Sequence, residues 1–204
     1  MNPPNPCQKE FFEKSAEEWD NVTHHNPDKL EQIARLLAPK PEQTVLDVGC
    51  GTGAMIPWLL MHVQKTGTIV AVDYSKNMIE VAKRKYPAED YPNVVFQVQD
   101  VNDMAMRREY DAILCYSCFP HFVDQRATIH HLVKGLGKGG KLMVAHSESR
   151  EAINNMHKAA AEEVHHDFLP PMVRIAQMME AAGLRVLEKI DNDELFVIMA
   201  EQPD

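Results

Sequence analysis

The 204-residue chain has no long apolar run: nothing in it approaches the roughly 18 consecutive apolar residues that a membrane helix needs. Its beginning, Met1-Asn2-Pro3-Pro4-Asn5-Pro6-Cys7, lacks a basic head followed by an apolar stretch, so no secretory signal is expected there. Cysteine is scarce. The four, at positions 7, 50, 115 and 118, form no disulfide framework, and the expected setting is a reducing, cytoplasmic one. Positive charge is also short, with 21 Lys+Arg against 30 Asp+Glu and a formal net charge of -9. Such a surface repels a polyanion over most of its area, which argues against a nucleic-acid partner. What remains is 45% hydrophobic and 25% charged, the composition of a globular protein long enough to bury a sizeable core as a single domain, 1–204.

The apolar pattern divides that domain. Residues 7–20 read as an amphipathic helix anchored by Phe11, Phe12 and Trp19. A second helix, 27–38, places Leu30, Ile33, Ala34 and Leu37 on one stripe before Pro39 and Pro41 end it. Short β-rich runs then alternate with helices. Strands are expected at 44–48, 68–72, 94–98, 111–116 and 139–146, and helices at 54–63, 76–86 and 124–136. Strands buried on both faces should be continuously apolar, and Ile69-Val70-Ala71-Val72 and Ala112-Ile113-Leu114 are. A polar, His-rich helix is expected over 148–166, and another after Pro170-Pro171 with Gly183 as its stop. Strands 184–190 and 194–200 follow, joined by Asp191-Asn192-Asp193. The sum is an α/β fold, doubly wound, with a mostly parallel seven-stranded sheet, an antiparallel last strand and an N-terminal helical cap over 1–40.

The informative segment is Val45-Leu46-Asp47-Val48-Gly49-Cys50-Gly51-Thr52-Gly53. Glycines after a first strand let the backbone turn tightly and approach a ligand. Asp73 closes the second strand, where a carboxylate can accept both hydroxyls of a ribose, and Asp100 ends the third. Gly49-x-Gly51-x-x-Ala54 also satisfies a dinucleotide fingerprint, so a nicotinamide-dependent oxidoreductase is one reading. Asp47 separates the readings: a buried carboxylate there opposes a pyrophosphate and favours a cation. S-adenosylmethionine carries a sulfonium and an amino group and no phosphate.

Over most of residues 10–200 the sequence resembles the class I S-adenosylmethionine-dependent methyltransferases of the small-molecule type. The matching motifs run in order: Val45–Gly53, Ala71-Val72-Asp73-Tyr74-Ser75, Gln97–Val101, Tyr110-Asp111-Ala112-Ile113-Leu114-Cys115 and Leu136–Met143. Phe12-Glu13-Lys14-Ser15-Ala16-Glu17-Glu18-Trp19-Asp20 resembles the aromatic segment that closes over the cofactor. The resemblance implies that Asp47 and Gly49 hold the methionyl amine while Gly51 and Gly53 permit the approach. Asp73 would bind the ribose, with Tyr74 beside it and Met78 on the adenine. Asp100 and the Val101 backbone would meet the adenine amine, and the main chain at Cys115 and Tyr116 would line the methionyl side. Phe12, Trp19 and Tyr116 would border the acceptor.

Methyl transfer from a sulfonium needs alignment and desolvation more than a strong base, yet a protic acceptor must still lose its proton. His121, in the loop after the fourth strand, and His146, ending the fifth, are the candidate bases. That loop lacks the Asn/Asp-Pro-Pro-aromatic signature of enzymes that methylate nucleic-acid bases or protein glutamine. Arg150, Asn154 and His157 share one helical face, and the 147–170 stretch is the expected insertion covering the acceptor site. Arg150 would hold an acceptor anion. His146, His157 and His166 are the positions a divalent metal would use, although none is expected to be bound. The expected partner is a small-molecule acceptor, with no membrane and no nucleic acid, and with the oligomeric state left open. A non-catalytic S-adenosylmethionine-binding module is the remaining alternative.

Overall fold

A computed structural model of the protein describes residues 6–203. Residues 1–5, which open both the expected cap and the leader reading, lie outside the described residues, as does Asp204. Seven strands form one sheet: β1 (Thr44–Val48), β2 (Thr68–Asp73), β3 (Val94–Val98), β4 (Tyr110–Tyr116), β5 (Leu136–His146), β6 (Arg185–Asp191) and β7 (Phe196–Glu201). Their order is β3-β2-β1-β4-β5-β7-β6. β1 to β5 pair in parallel, and β7 enters antiparallel between β5 and β6.

The period-two alternation of strand side chains builds two cores from one sheet. Leu46, Val48, Ile113, Cys115, Leu142, Val144 and Ile198 face one side. Val45, Ala112, Leu114, Met143, Ala145, Val197 and Met199 face the other. Helices cover both. α3 (Pro27–Leu37) and α4 (Ile56–Val63) lie on the second face. α6 (Gln125–Leu132) and α8 (Met172–Ala181) lie on the first. Each fully buried Leu or Ile on these faces contributes about 1.5–3 kcal/mol.

Three helices differ from the sequence expectation. The 7–20 helix is α1 (Pro6–Ser15), a 3-10 turn (Ala16–Glu18) and α2 (Trp19–Val22). The stripe of α3 packs into the sheet core, so the part of 1–40 that caps anything ends before Pro27. The His-rich helix stops early: α7 spans Arg150–Ala159, capped by Ser149, whose Oγ accepts from the Ala152 N–H. Beyond it the chain folds back, because Asn154 brackets Leu169 through both its amide atoms and His157 bonds the Asp167 carbonyl. Last, β5 begins at Leu136 rather than 139, after α6 tightens into a 3-10 turn over Val133–Gly135.

From the β1/β4 junction the order runs β1-β2-β3 one way and β4-β5 the other, the latter followed by the antiparallel pair β7-β6. In open α/β sheets, a crevice opens at the carboxyl ends of the strands where the order reverses. α5 (Lys76–Lys85), capped by the Ser75 hydroxyl, borders that crevice after β2.

Candidate functional site

The crevice is a cleft of ≈ 1130 Å³, open mouth included. Its floor is the loop after β1. Cys50 N–H donates to the Val72 carbonyl (3.1 Å) and Gly53 N–H to the Cys50 carbonyl (2.9 Å), which winds the loop tightly against β2. Gly49, Gly51 and Gly53 all take positive φ, a region that strains any residue with a Cβ. They differ in what surrounds them. A Cβ on Gly49 would stand 2.6 Å from Cys118 Cβ, and one on Gly53 2.7 Å from the Tyr86 ring. A Cβ on Gly51 would meet nothing within 4 Å. The outer two glycines allow the loop to pack, and Gly51 opens onto the cleft.

Two carboxylates govern the electrostatics. Asp73 accepts the Gly51 N–H (2.9 Å) and the Ser75 N–H (2.8 Å), so it shapes the loop it borders. Burial nonetheless lifts its pKa to about 6, against the pull of those two bonds. Asp47 is fully buried behind the loop and does not line the cleft surface, and its Oδ2 has no hydrogen-bond partner. Desolvation first and the Asp73 charge second push its pKa to about 8. An orphaned, buried carboxylate oxygen two residues before an open glycine loop fits a cationic ligand and opposes an anionic one. Asp100 caps the 3-10 turn Val101–Asp103 by accepting from Asn102, which in turn accepts the Thr128 hydroxyl.

The roof comes from the N-terminal segment. Phe12 meets Trp19, Tyr74 and His121 edge-on at 5.5, 6.2 and 5.1 Å between ring centres. Three carboxylates tie this segment to α5. Glu13 accepts the N–H groups of Lys76 and Asn77 at the helix N-terminus, where a negative charge is favoured. Glu17 pairs with Arg84 and Asp20 with Lys85. Two polar chains then hang from the rim. In one, His121 Nδ1 pairs with Asp167 Oδ2 at 2.6 Å, Asp167 accepts Gln8 Nε2 at 2.9 Å, and Gln8 accepts the Tyr74 hydroxyl. In the other, the Tyr116 hydroxyl lies 2.8 Å from both His25 Nδ1 and Ser147 Oγ.

The structure brings Gly49, Gly51, Asp73, Tyr74, Met78, Asp100, Val101, Phe12, Trp19, Tyr116 and His121 to the cleft. It places the other named positions elsewhere. Gly53 packs under Tyr86. Cys115 is wholly buried in β4 and yields its place to Cys118, whose thiol donates to the Val48 carbonyl. His146 is sealed against Phe196 with neither ring nitrogen partnered, because β7 covers the end of β5. Arg150 turns to Asp191 at 3.9 Å, Asn154 faces the returning chain, and His157 bonds that chain while its ring lies 5.1 Å from His121, so this face backs the wall of the cleft without lining it. Among the described residues no group of three His, Cys, Asp or Glu is disposed to hold a metal ion, and His166 meets His165 edge-on.

Sequence reasoning gave Gln8, His25 and Asp167 no role in the site. The polar Gln8 within an apolar helix face and the lone Asp after His165-His166 were visible, but only the folding back of the chain after α7 gives them partners.

Comparisons with known proteins agree with the geometry. The family described as "Methyltransferase domain" matches residues 39–194. A ubiquinone biosynthesis O-methyltransferase of Coxiella burnetii (strain Dugway 5J108-111) is 30% identical, over 87% of this chain and 81% of the relative. A malonyl-[acyl-carrier protein] O-methyltransferase of Ilyobacter polytropus is 34% identical over 64% of this chain and 48% of the relative. The chain spans between 36% and 62% of the length of the first curated relatives it matches. Among solved structures, a SAM dependent methyltransferase from Aquifex aeolicus superposes with a TM-score of 0.73 at 19% identity, over 93% of this chain and 98% of that one. Phosphoethanolamine N-methyltransferase 2 of Haemonchus contortus, in complex with S-adenosyl-L-methionine, superposes at 0.77 and 16% identity, over 97% of this chain and 60% of that one.

Proposed function

The chain belongs to the methyltransferase-domain family, and from that premise we propose that it is an S-adenosylmethionine-dependent methyltransferase acting on a small-molecule acceptor. One observation carries the reading: a buried, partnerless carboxylate oxygen on Asp47, two residues before the glycine loop that opens onto the cleft. When bound, S-adenosylmethionine supplies a methyl group made electrophilic by its sulfonium.

Asp47, protonated in the ligand-free protein near neutral pH, gives up its proton when the ligand's positive groups arrive at the glycine loop. Asp73 keeps lone pairs for two ribose hydroxyls while its loop bonds hold it in place. Met78 and Tyr74 wall one side, and Asp100 with the Val101 backbone takes the adenine edge. Phe12 and Trp19 exclude water from above, which strengthens every polar contact inside. Cys118, rather than Cys115, shapes the methionyl side. His121 holds its Nδ1 on Asp167, which leaves Nε2 to accept a proton from the acceptor. Through Asp167 and Val164 the 147–170 stretch closes this side of the roof.

The loop argues against a nicotinamide cofactor, whose pyrophosphate would sit over Asp47 and beside Asp73. Net charge argues against nucleic acid as the acceptor. No described helix is long and apolar enough to cross a membrane, and the buried thiols of Cys50, Cys115 and Cys118 fit a reducing, cytoplasmic setting. Calorimetry with S-adenosylmethionine and with NADH tests the cofactor: binding of the first alone is expected, and the reverse overturns the reading. Release of S-adenosylhomocysteine across an acceptor panel separates an enzyme from a non-catalytic binding module.

A further inference from the structure

The two ends of the cleft are chemically unlike. β1 divides them in the sheet order, with Asp73 of β2 and Asp100 after β3 on one side and Tyr116 of β4 on the other. The first side carries the carboxylates suited to a nucleoside. The second is bordered by Thr23, His25, Tyr116, Ser117 and Phe122, with Trp19 packed instead among Phe12, Met78 and Tyr74. It holds flat aromatic faces, hydroxyls and one imidazole, with no formal charge among these side chains when His25 is neutral. Burial, the largest influence on His25, lowers its pKa and favours that neutral form.

Among the described residues that line the cleft, none is Lys or Arg. The nearby cations are engaged elsewhere. Lys85 reaches Thr52 at 3.4 Å but is held by Asp20 at 2.6 Å. Arg84 is held by Glu17, Lys29 by Glu194, and Arg150 points to Asp191. A carboxylate or phosphate entering here would lose its water and find no Lys or Arg to replace it, next to a floor in which Asp73 is already ionised at pH 7.5.

The Tyr116 hydroxyl has one hydrogen and two lone pairs. His25, Ser147 and Ser117 all bear on it, so it is already engaged. The other hydroxyls at this end, of Thr23 and Ser117, are neutral and either donate or accept, so they suit a phenol hydroxyl or an aryl amine of either polarity. A carboxylate can only accept.

Resting on the methyltransferase reading above, we propose that the acceptor end of the cleft takes an uncharged, flat molecule bearing an O–H or N–H, of the phenol or aryl-amine class, and refuses carboxylates and phosphate monoesters. Tyr116 and Phe122 supply the flat contact, and the neutral hydroxyls of Thr23 and Ser117 meet the protic group.

The test is binding of four ring probes, phenol, aniline, benzoate and phenyl phosphate, to protein saturated with S-adenosylhomocysteine, at pH 7.5 and low salt. Phenol and aniline are expected to bind at least about tenfold more tightly than the two anions, the scale set by one desolvated polar mismatch. Phe122→Ala should weaken phenol binding while leaving benzoate unchanged. Val123→Arg, which adds a cation at an exposed position on the rim, should admit benzoate without changing S-adenosylhomocysteine affinity. Benzoate or phenyl phosphate binding as tightly as phenol overturns the proposal, as does failure of all four probes. Failure to bind S-adenosylhomocysteine overturns the methyltransferase reading itself, and the proposal with it.

Discussion

The Nδ1 of His121 stands 2.6 Å from the Oδ2 of Asp167, across 46 residues of sequence. The carboxylate fixes the imidazole's tautomer and orientation, and the same Asp167 oxygen accepts Gln8 from the roof. Proton acceptor and lid are therefore coupled through one oxygen atom. His121→Gln should lower turnover by on the order of 10²-fold with little change in S-adenosylmethionine affinity. Asp167→Asn should lower turnover and also loosen the roof. Steady-state rates of S-adenosylhomocysteine release, with calorimetry beside them, check both. Wild-type turnover in His121→Gln would remove that residue from the chemistry.

The three loop glycines should separate cleanly on substitution. Gly51→Ala meets open space, so its folding penalty is that of a left-handed backbone, roughly 1–2 kcal/mol. Its methyl group projects into the cleft, and S-adenosylmethionine binding should fall. Gly49→Ala adds a 2.6 Å encounter with Cys118 to the same backbone strain and should be far less stable. Thermal melts with and without S-adenosylmethionine distinguish the two. Equal melting temperatures for both variants would contradict the division of labour.

The sheet and the glycine loop were readable because their signals are local. Five-residue apolar runs, Gly49 to Gly53, and Asp73 at a strand end each carry their meaning within a few neighbours. The acceptor side was not, because it is built by return of the chain. Arg150, Asn154 and His157 do share a helical face, as their spacing demanded. That face, however, holds the 160–169 segment, and no local pattern shows that a helix will stop at Ala159 and double back. His146 misled for a related reason. The end of β5 is a ligand-bearing edge in a purely parallel sheet, but β7 enters beside it and covers it. His25 and Asp167 became site residues only through partners 91 and 46 positions away.

His146 gives a stability prediction with a definite sign. Burial, then repulsion from His121 and His157, lowers its pKa to about 3, well below the 6.5 of an unfolded chain. Between those values the unfolded state binds a proton that the folded state refuses, so stability falls as pH drops from 6.5 toward 3. His146→Phe removes the titrating group and two unpartnered buried nitrogens. It should raise stability at neutral pH and flatten this part of the acid limb, with S-adenosylmethionine affinity unchanged. Urea melts from pH 4 to 7 check the slope. An unchanged slope would mean the ring is solvated.

Asp47 carries the opposite dependence. Its folded pKa of about 8 lies above the 3.8 of the free side chain, and Asp73, at about 6, is raised in the same sense. The folded, ligand-free protein therefore holds protons that the unfolded chain has released, and its stability declines as pH climbs from about 4 toward 8. A cationic ligand reverses this, since it favours both carboxylates ionised. Affinity for S-adenosylmethionine should rise over the interval from pH 6 to 8.5. Asp47→Asn should stabilise the ligand-free protein at pH 8, because it removes a buried group that the folded state must keep protonated. It should also weaken the ligand and flatten the pH dependence of its binding. Paired melts and calorimetry across that pH range measure both effects on one variant. A more stable free protein that still binds S-adenosylmethionine as tightly as wild type would show that the buried charge serves some other end.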